Sequence, residues 1–248
     1  MRASLAEAAT PALPASGTAH WYDGATGCTL VMSTPPAEPE LWDDFVDGAM
    51  ASYRGHGAER AIDEDVLRDP AMTSLFLAAI DPDGTVVGGV RAQGPYVDVE
   101  QSHAIVEWAG QPGLSAVHKM IADRLPFGVV EIKTAWAGKH DRGRFLTAAL
   151  ARMPLHATAI LGAKFALATA ADHVLDRWRS SGGIVVSRIP ATPYPDARYQ
   201  TKMMWWDRAE FTRSAEPQQI STILAESRNL LPLMTDLDDE DAAAGSDA

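Results

Sequence analysis

The sequence predicts an α/β or α+β domain built around one sheet, and three observations point there. Short β-rich runs and helical patterns interleave in the order β, α, α, β, β, α, β, α, β, α, β, β. Two apolar runs, Ser74–Ile80 and Thr85–Ala92, flank Asp81-Pro82-Asp83-Gly84, a turn whose proline and glycine supply the dihedrals of a hairpin. Val129–Arg144, VVEIKTAWAGKHDRGR, reads as a strand, a basic glycine-containing turn and the start of a helix. The order lacks the strict βα alternation of an open nucleotide-binding fold.

Taken in order, residues 1–20 read as a flexible leader. They contain Arg2 and many small residues but no continuous apolar run of the kind a signal peptide needs. Gly27–Ser33 is a short strand, closed by Pro35-Pro36. Pro39–Tyr53 has Leu41, Trp42, Phe45, Val46 and Met50 near one helical face, with a proline where the first turn tolerates it. Asp63–Arg68 reads as a second short helix with acids in its first turn. After the hairpin, Val97–Trp108 is weakly strand-like and Ser115–Leu125 is helical. The helix from Gly143 extends toward Leu161, kinked or divided at Pro154. Lys164–Thr169 is a strand, and Asp172 is placed to cap a helix that ends at Gly182-Gly183. Strands over Ile184–Ile189 and Arg198–Trp206 follow, and Met203–Trp206 is apolar enough for the core. The main domain is expected over 21–208, a loosely attached helical extension over 209–234, and a disordered acidic tail over 235–248.

Composition narrows the function classes. A chain of 248 residues, 46% apolar, can bury one good core. Its single cysteine, Cys28, excludes a disulfide framework or a cysteine-based zinc cluster and fits a reducing cytoplasm. No apolar run reaches the ~18–20 residues of a membrane span. The net charge of −12 argues against nucleic acid as the partner. Half of that charge lies in Thr235–Ala248, which has six acids and no base, so the basic turn stands out locally. His103, His118, His140, His156 and His173 show no metal-ligand spacing, and no metal is expected. Asp172-His173 lacks the serine elbow of a hydrolase.

The turn suggests a ligand. A helix N-terminus presents unpaired N–H groups and a partial positive charge, and Lys139, His140, Arg142 and Arg144 lie beside it with Gly138 and Gly143. Such a turn suits a phosphate-bearing molecule. A solvated βα connection with surface bases has the same composition.

Element order, the Asp-Pro-Asp-Gly hairpin, the basic turn and Asp176–Gly183, DRWRSSGG, together resemble the GCN5-related N-acetyltransferase (GNAT) superfamily. The likeness covers roughly Thr29–Trp206. The extra helix Ser115–Leu125 makes it most similar to the N-acyl amino acid synthases and acyl-homoserine lactone synthases. The resemblance implies a GNAT-like mixed, mostly antiparallel twisted sheet flanked by helices, with a pantetheine arm lying along splayed central strands. It implies acyl-CoA or acyl-carrier protein as donor and a small-molecule amine as acceptor. Gly143 matches the first glycine of the family turn, whereas His140 stands at its Gln/Arg position and Phe145 at its second small residue. Trp178 stands where the family often has a tyrosine, followed by Gly182 and Gly183. Indole N–H is only a donor, so Trp178 offers no general acid.

Acyl transfer to an amine needs a route for a proton, donors to the thioester oxygen and tight positioning. Glu131 is the candidate proton acceptor on the central strand, with Glu107 the second carboxylate. Backbone N–H groups of Trp136 and Ala137, after a bulge near Thr134, are the candidate oxygen donors. Two functions remain open: an N-acyltransferase, or a GNAT-like binding or regulatory module without catalysis. Stabilisation by acyl-CoAs of rising chain length separates them.

Overall fold

The computed structural model describes residues 17–138, 143–230 and 233. Thr18–Asp23 (β1) pairs antiparallel with Cys28–Ser33 (β2), so Thr18, Ala19 and His20 belong to the sheet and not to a leader. Ala19, Trp21 and Asp23 alternate inward along β1, a pattern too short to stand out beside the small residues before it. Helix α1 (Pro39–Gly55) buries Trp42, Phe45, Val46 and Ala49, one face at helical spacing. Helix α2 (Glu64–Arg68) is capped by Asp63, which accepts from the N–H groups of Asp65 and Val66. The hairpin forms as expected from β3 (Leu75–Ile80) and β4 (Val86–Gln93), with Gly84 at φ 82°.

Val97–Trp108 is helical where a strand was expected. Asp98 and Gln101 form a reciprocal capping box on a short 3-10 turn, and Ser102 then caps α3 (His103–Glu107). The caps override the β-branched Ile105 and Val106. Helix α4 (Leu114–Ala122) leads to β5 (Val129–Ala137). The long helix expected after Gly143 is two helices, α5 (Gly143–Leu150) and α6 (Met153–Ile160), with Pro154 in the first turn of the second. Next come β6 (Phe165–Ala171), α7 (Leu175–Arg179), β7 (Ile184–Val185), β8 (Thr201–Asp207) and α8 (Pro217–Glu226). Asp172 caps nothing; its carboxylate pairs with Lys202 Nζ at 2.8 Å. The strand expected over Ile184–Ile189 is only the two residues of β7, because the chain leaves the ladder in a turn at Ser187–Arg188.

The eight strands form one sheet in the order β1-β2-β3-β4-β5-β6-β8-β7. Every pairing is antiparallel except β5 with β6. That parallel pair holds from Val129/Phe165 to Ile132/Ala168 and then stops, although β5 runs on to Ala137 and β6 to Ala171. The two strands therefore part toward their C-terminal ends. Beside the parting, β5 carries an extra residue against β4, where the register shifts and Thr134 adopts φ 51°. A β-branched residue in the left-handed region is a strained conformation held by its surroundings.

One face of the sheet packs on α5, α6 and α8. The other face carries two apolar clusters, one of α1 with Trp136 and one of α3 and α4 with Trp108. Strand alternation puts Arg91, Glu131, Lys133 and Thr169 on this second face, between the two clusters.

The segment expected to be a loosely attached extension is clamped to the core. Glu226 at the end of α8 accepts from Arg152 Nε and Nη2, both at 2.7 Å, and from Trp21 Nε1 at 2.9 Å. His156 Nε2 lies 2.9 Å from the same carboxylate, and Arg152 also pairs with Asp23. Buried charges need such partners, which an amphipathic pattern does not disclose. The acidic tail 235–248 lies outside the described residues.

Candidate active site

Glu131 sits mid-strand on β5 and is wholly buried. Its Oε2 accepts from the Tyr96 hydroxyl at 2.9 Å, Ser102 Oγ at 3.1 Å and the His103 backbone N–H at 2.9 Å. Among the described residues its Oε1 has no hydrogen-bond partner. Burial, reinforced by this carboxylate, pushes the Tyr96 hydroxyl well above its ordinary pKa, so it stays a donor. The start of α3 is thus hung on the central strand, which fixes where His103 and Glu107 point.

Glu107 reaches the parting of β5 and β6. Its Oε1 accepts from Thr169 Oγ1 at 2.9 Å and Lys133 Nζ at 3.3 Å, one group from each strand, and its Oε2 has no partner among the described residues. Burial raises its pKa in spite of Lys133, and the Glu131 charge adds to the rise. Arg91, on β4, binds Thr134 Oγ1 at 3.1 Å, Thr73 Oγ1 at 2.9 Å and the Met72 carbonyl at 2.7 Å, tying the strained bulge to the loop before β3.

His103 Nε2 lies 2.9 Å from the Tyr194 hydroxyl and 3.8 Å from Glu107 Oε1. Burial, with the charges of Lys133 and Arg91, lowers the His103 pKa to about 3, so the ring is neutral near pH 7 even beside Glu107. Burial and Glu107 raise the Tyr194 hydroxyl to about 12. Both side chains line a cleft of about 500 Å³ whose outer wall is Arg60–Glu64, between α1 and α2. An open cleft therefore leads to a neutral imidazole, a protonated phenol and a buried carboxylate.

The expected site residues are only partly gathered here. Trp136 and Ala137 follow the bulge and pair with Gly89 and Gly88. A Cβ on Gly89 would lie 2.6 Å from Phe45, and one on Gly88 would lie 3.0 Å from the Trp136 carbonyl, so glycine permits the close approach. The Trp136 ring is buried in the α1 cluster, and its Nε1 has no partner. Gly138 N–H is bound to the Val87 carbonyl at 2.8 Å. Gly143 opens α5. Arg144 lies 4.5 Å over the Phe145 ring, which points outward and is 39% exposed. Lys139, His140 and Arg142 lie outside the described residues. Trp178 packs edge-on against Trp206 at 6.1 Å, a core contact. Arg91, Tyr96, Lys133 and Tyr194 escaped the sequence reading. The one local signal was His103 and Glu107 at i, i+4, directly after Ser102.

No family model matches the sequence. It is 52% identical over 212 residues to uncharacterized protein Rv1356c of Mycobacterium tuberculosis, covering 85% of this chain and 80% of that protein. Uncharacterized protein Mb1391c of Mycobacterium bovis matches with the same figures. The chain belongs to the family of these mycobacterial proteins. Among solved structures, FeeM, an N-acyl amino acid synthase from uncultured soil microbes, superposes with a TM-score of 0.56 at 13% identity. The match covers 79% of this chain and 100% of that one. The fold is the GNAT fold that the sequence resembles, a mixed and mostly antiparallel sheet flanked by helices. In GNAT terms, the parting of β5 and β6 is the splay of the central strands.

Proposed function

We propose that this GNAT-fold protein is an N-acyltransferase that moves an acyl group from acyl-CoA or an acyl-carrier protein to the amine of a small molecule. One observation supports this reading above the rest. Two buried carboxylates, Glu107 and Glu131, each keep an oxygen without a hydrogen-bond partner among the described residues, on the face where β5 and β6 separate. Buried polar atoms without partners are rare, and they concentrate where a ligand or reacting group completes the set.

The thioester arm lies in the gap between the strands, with its phosphates toward the basic turn of 138–144. The N–H of Ala137, which follows the bulge at Thr134, faces the thioester oxygen. The amine enters through the cleft beside Arg60–Glu64 and attacks the carbonyl carbon. A C–N bond forms and the C–S bond breaks. The proton lost by the amine passes through water in the cleft to Glu107, whose carboxylate is made a stronger base by burial. The Tyr194 hydroxyl, held protonated, donates a hydrogen bond to the departing sulfur, and the thiolate takes its proton from solvent at the cleft. Glu131 acts as a positioning residue, because three donors occupy its Oε2 and tie the start of α3 to the central strand. The Phe145 ring points outward, away from the start of α5, which favours this reading over a module without catalysis.

The test is to incubate the protein with acyl-CoAs of rising chain length, and with acyl-carrier protein, against a panel of amino acids. N-acyl products sought by mass spectrometry should appear for one combination. Absence of product from every CoA and carrier donor would overturn the proposal.

A further inference from the structure

A second cleft opens on the same face of the sheet, at the other end of β6. Phe165 begins that strand and Thr169 lies four residues on, so about 13 Å of strand separates it from the candidate active site. The cleft encloses about 390 Å³, the size of a small-molecule site. Phe165 and Trp205 form its floor, and Ile184, 60% exposed, forms its rim.

Arg124 and Arg188 both open into this cleft. The Arg124 guanidinium lies 5.2 Å from the Phe165 ring centroid and 4.7 Å from that of Trp205. Its Nη1 donates to the Met120 carbonyl at 3.0 Å, which fixes the plane of the group. Its Nε is buried without a partner among the described residues, and so is Nε1 of Trp205. Asp207, the cleft's carboxylate, lies 3.6 Å from Lys164 Nζ and accepts from the Ala209 N–H. Among the described residues neither arginine forms an ion pair. Burial, with the neighbouring Arg188 charge, lowers the Arg124 pKa although the Asp123 and Asp207 carboxylates oppose the fall.

A chain of net charge −12 thus keeps two like charges together over an aromatic floor. A guanidinium held flat with free N–H groups on one edge matches a carboxylate, and the rings beneath it match an apolar body. We propose that this cleft binds a small amphipathic carboxylate, its head on Arg124 and Arg188 and its apolar part on Phe165 and Trp205. The site is separate from the acyl-transfer centre and stands whether or not that reaction occurs.

Octanoate is the probe, titrated into the full chain by calorimetry, with octanol and inorganic phosphate as controls. Octanoate should bind saturably at one site, and both controls should bind far more weakly. Arg188→Gln, at an exposed position, and Arg124→Lys, which retains charge but loses the fork, should each weaken octanoate by about tenfold. Glu131→Gln should leave that affinity unchanged. The proposal is overturned if octanoate does not saturate, if octanol or phosphate binds as tightly, or if Arg188→Gln binds like the parent. Loss of octanoate binding in Glu131→Gln alone would move the site to the acyl-transfer centre and equally overturn it.

Discussion

Glu131 Oε2 accepts the His103 backbone N–H at 2.9 Å, so the carboxylate at the middle of the central strand holds the first residue of α3. Glu107, one turn further along that helix, is thereby set against Lys133 and Thr169. Truncating Glu131 to alanine strands three buried donors at once. Glu131→Ala should destabilise the fold by about 3 kcal/mol or more, and Glu131→Gln, which keeps an acceptor, by clearly less. Urea unfolding measures both; equal losses would show that the hydrogen bonds do not hold the helix.

The Arg152–Glu226 clamp makes stability depend on acid. Burial alone would raise the Glu226 pKa, but the hydrogen bond from His156 and the charge of Arg152 outweigh it and hold it below the ordinary value. The folded carboxyl is therefore the stronger acid. Its contribution is complete above the unfolded value of about 4.3 and is lost as pH falls through the lower folded value. Unfolding free energies from pH 7 down to 3 should fall less steeply in Glu226→Gln than in the parent. Parallel curves would remove Glu226 from the acid response.

Hairpin geometry gives a backbone test. Gly84 has φ 82° and an added Cβ would meet nothing within 4 Å, so Gly84→Ala costs only conformational strain. A loss of about 1 kcal/mol is expected in thermal or urea unfolding. A neutral alanine would mean that the turn relaxes.

Helix α1 is locked to the bulge through a glycine. A Cβ on Gly48 would lie 2.1 Å from the Trp136 ring, which follows the strained Thr134 on β5. Gly48→Ala should destabilise by about 1–3 kcal/mol through overpacking. It should also shift the near-ultraviolet circular dichroism, as Trp136 is pushed from its place. An unchanged spectrum with unchanged stability would refute this packing.

What the sequence disclosed follows the range of the forces involved. The hairpin, α1, the capped α2 and the start of α5 were legible because turn residues, caps and apolar spacing act within a few positions. Helix α3 was misread because the pattern of Ile105 and Val106 suggests a strand, while Asp98 and Ser102 impose a helix through side-chain caps. Only half of the candidate site was legible. Glu131 and Glu107 could be picked out as carboxylates near the central strand. Their surroundings could not, since Tyr96 lies 35 residues from Glu131 and Tyr194 lies 91 from His103. Contacts across such separations depend on the completed sheet.

The most direct measurement of the central claim is thiol release from an acyl-CoA or acyl-carrier donor in the presence of its amine, in the parent and in Glu107→Gln. The variant keeps an acceptor for Lys133 and Thr169, so its unfolding midpoint should stay close to that of the parent. Amine-dependent thiol release should fall by about a hundredfold or more, the usual loss when a positioned proton acceptor is removed. A folded Glu107→Gln variant that transfers acyl groups at the parent rate would contradict the account.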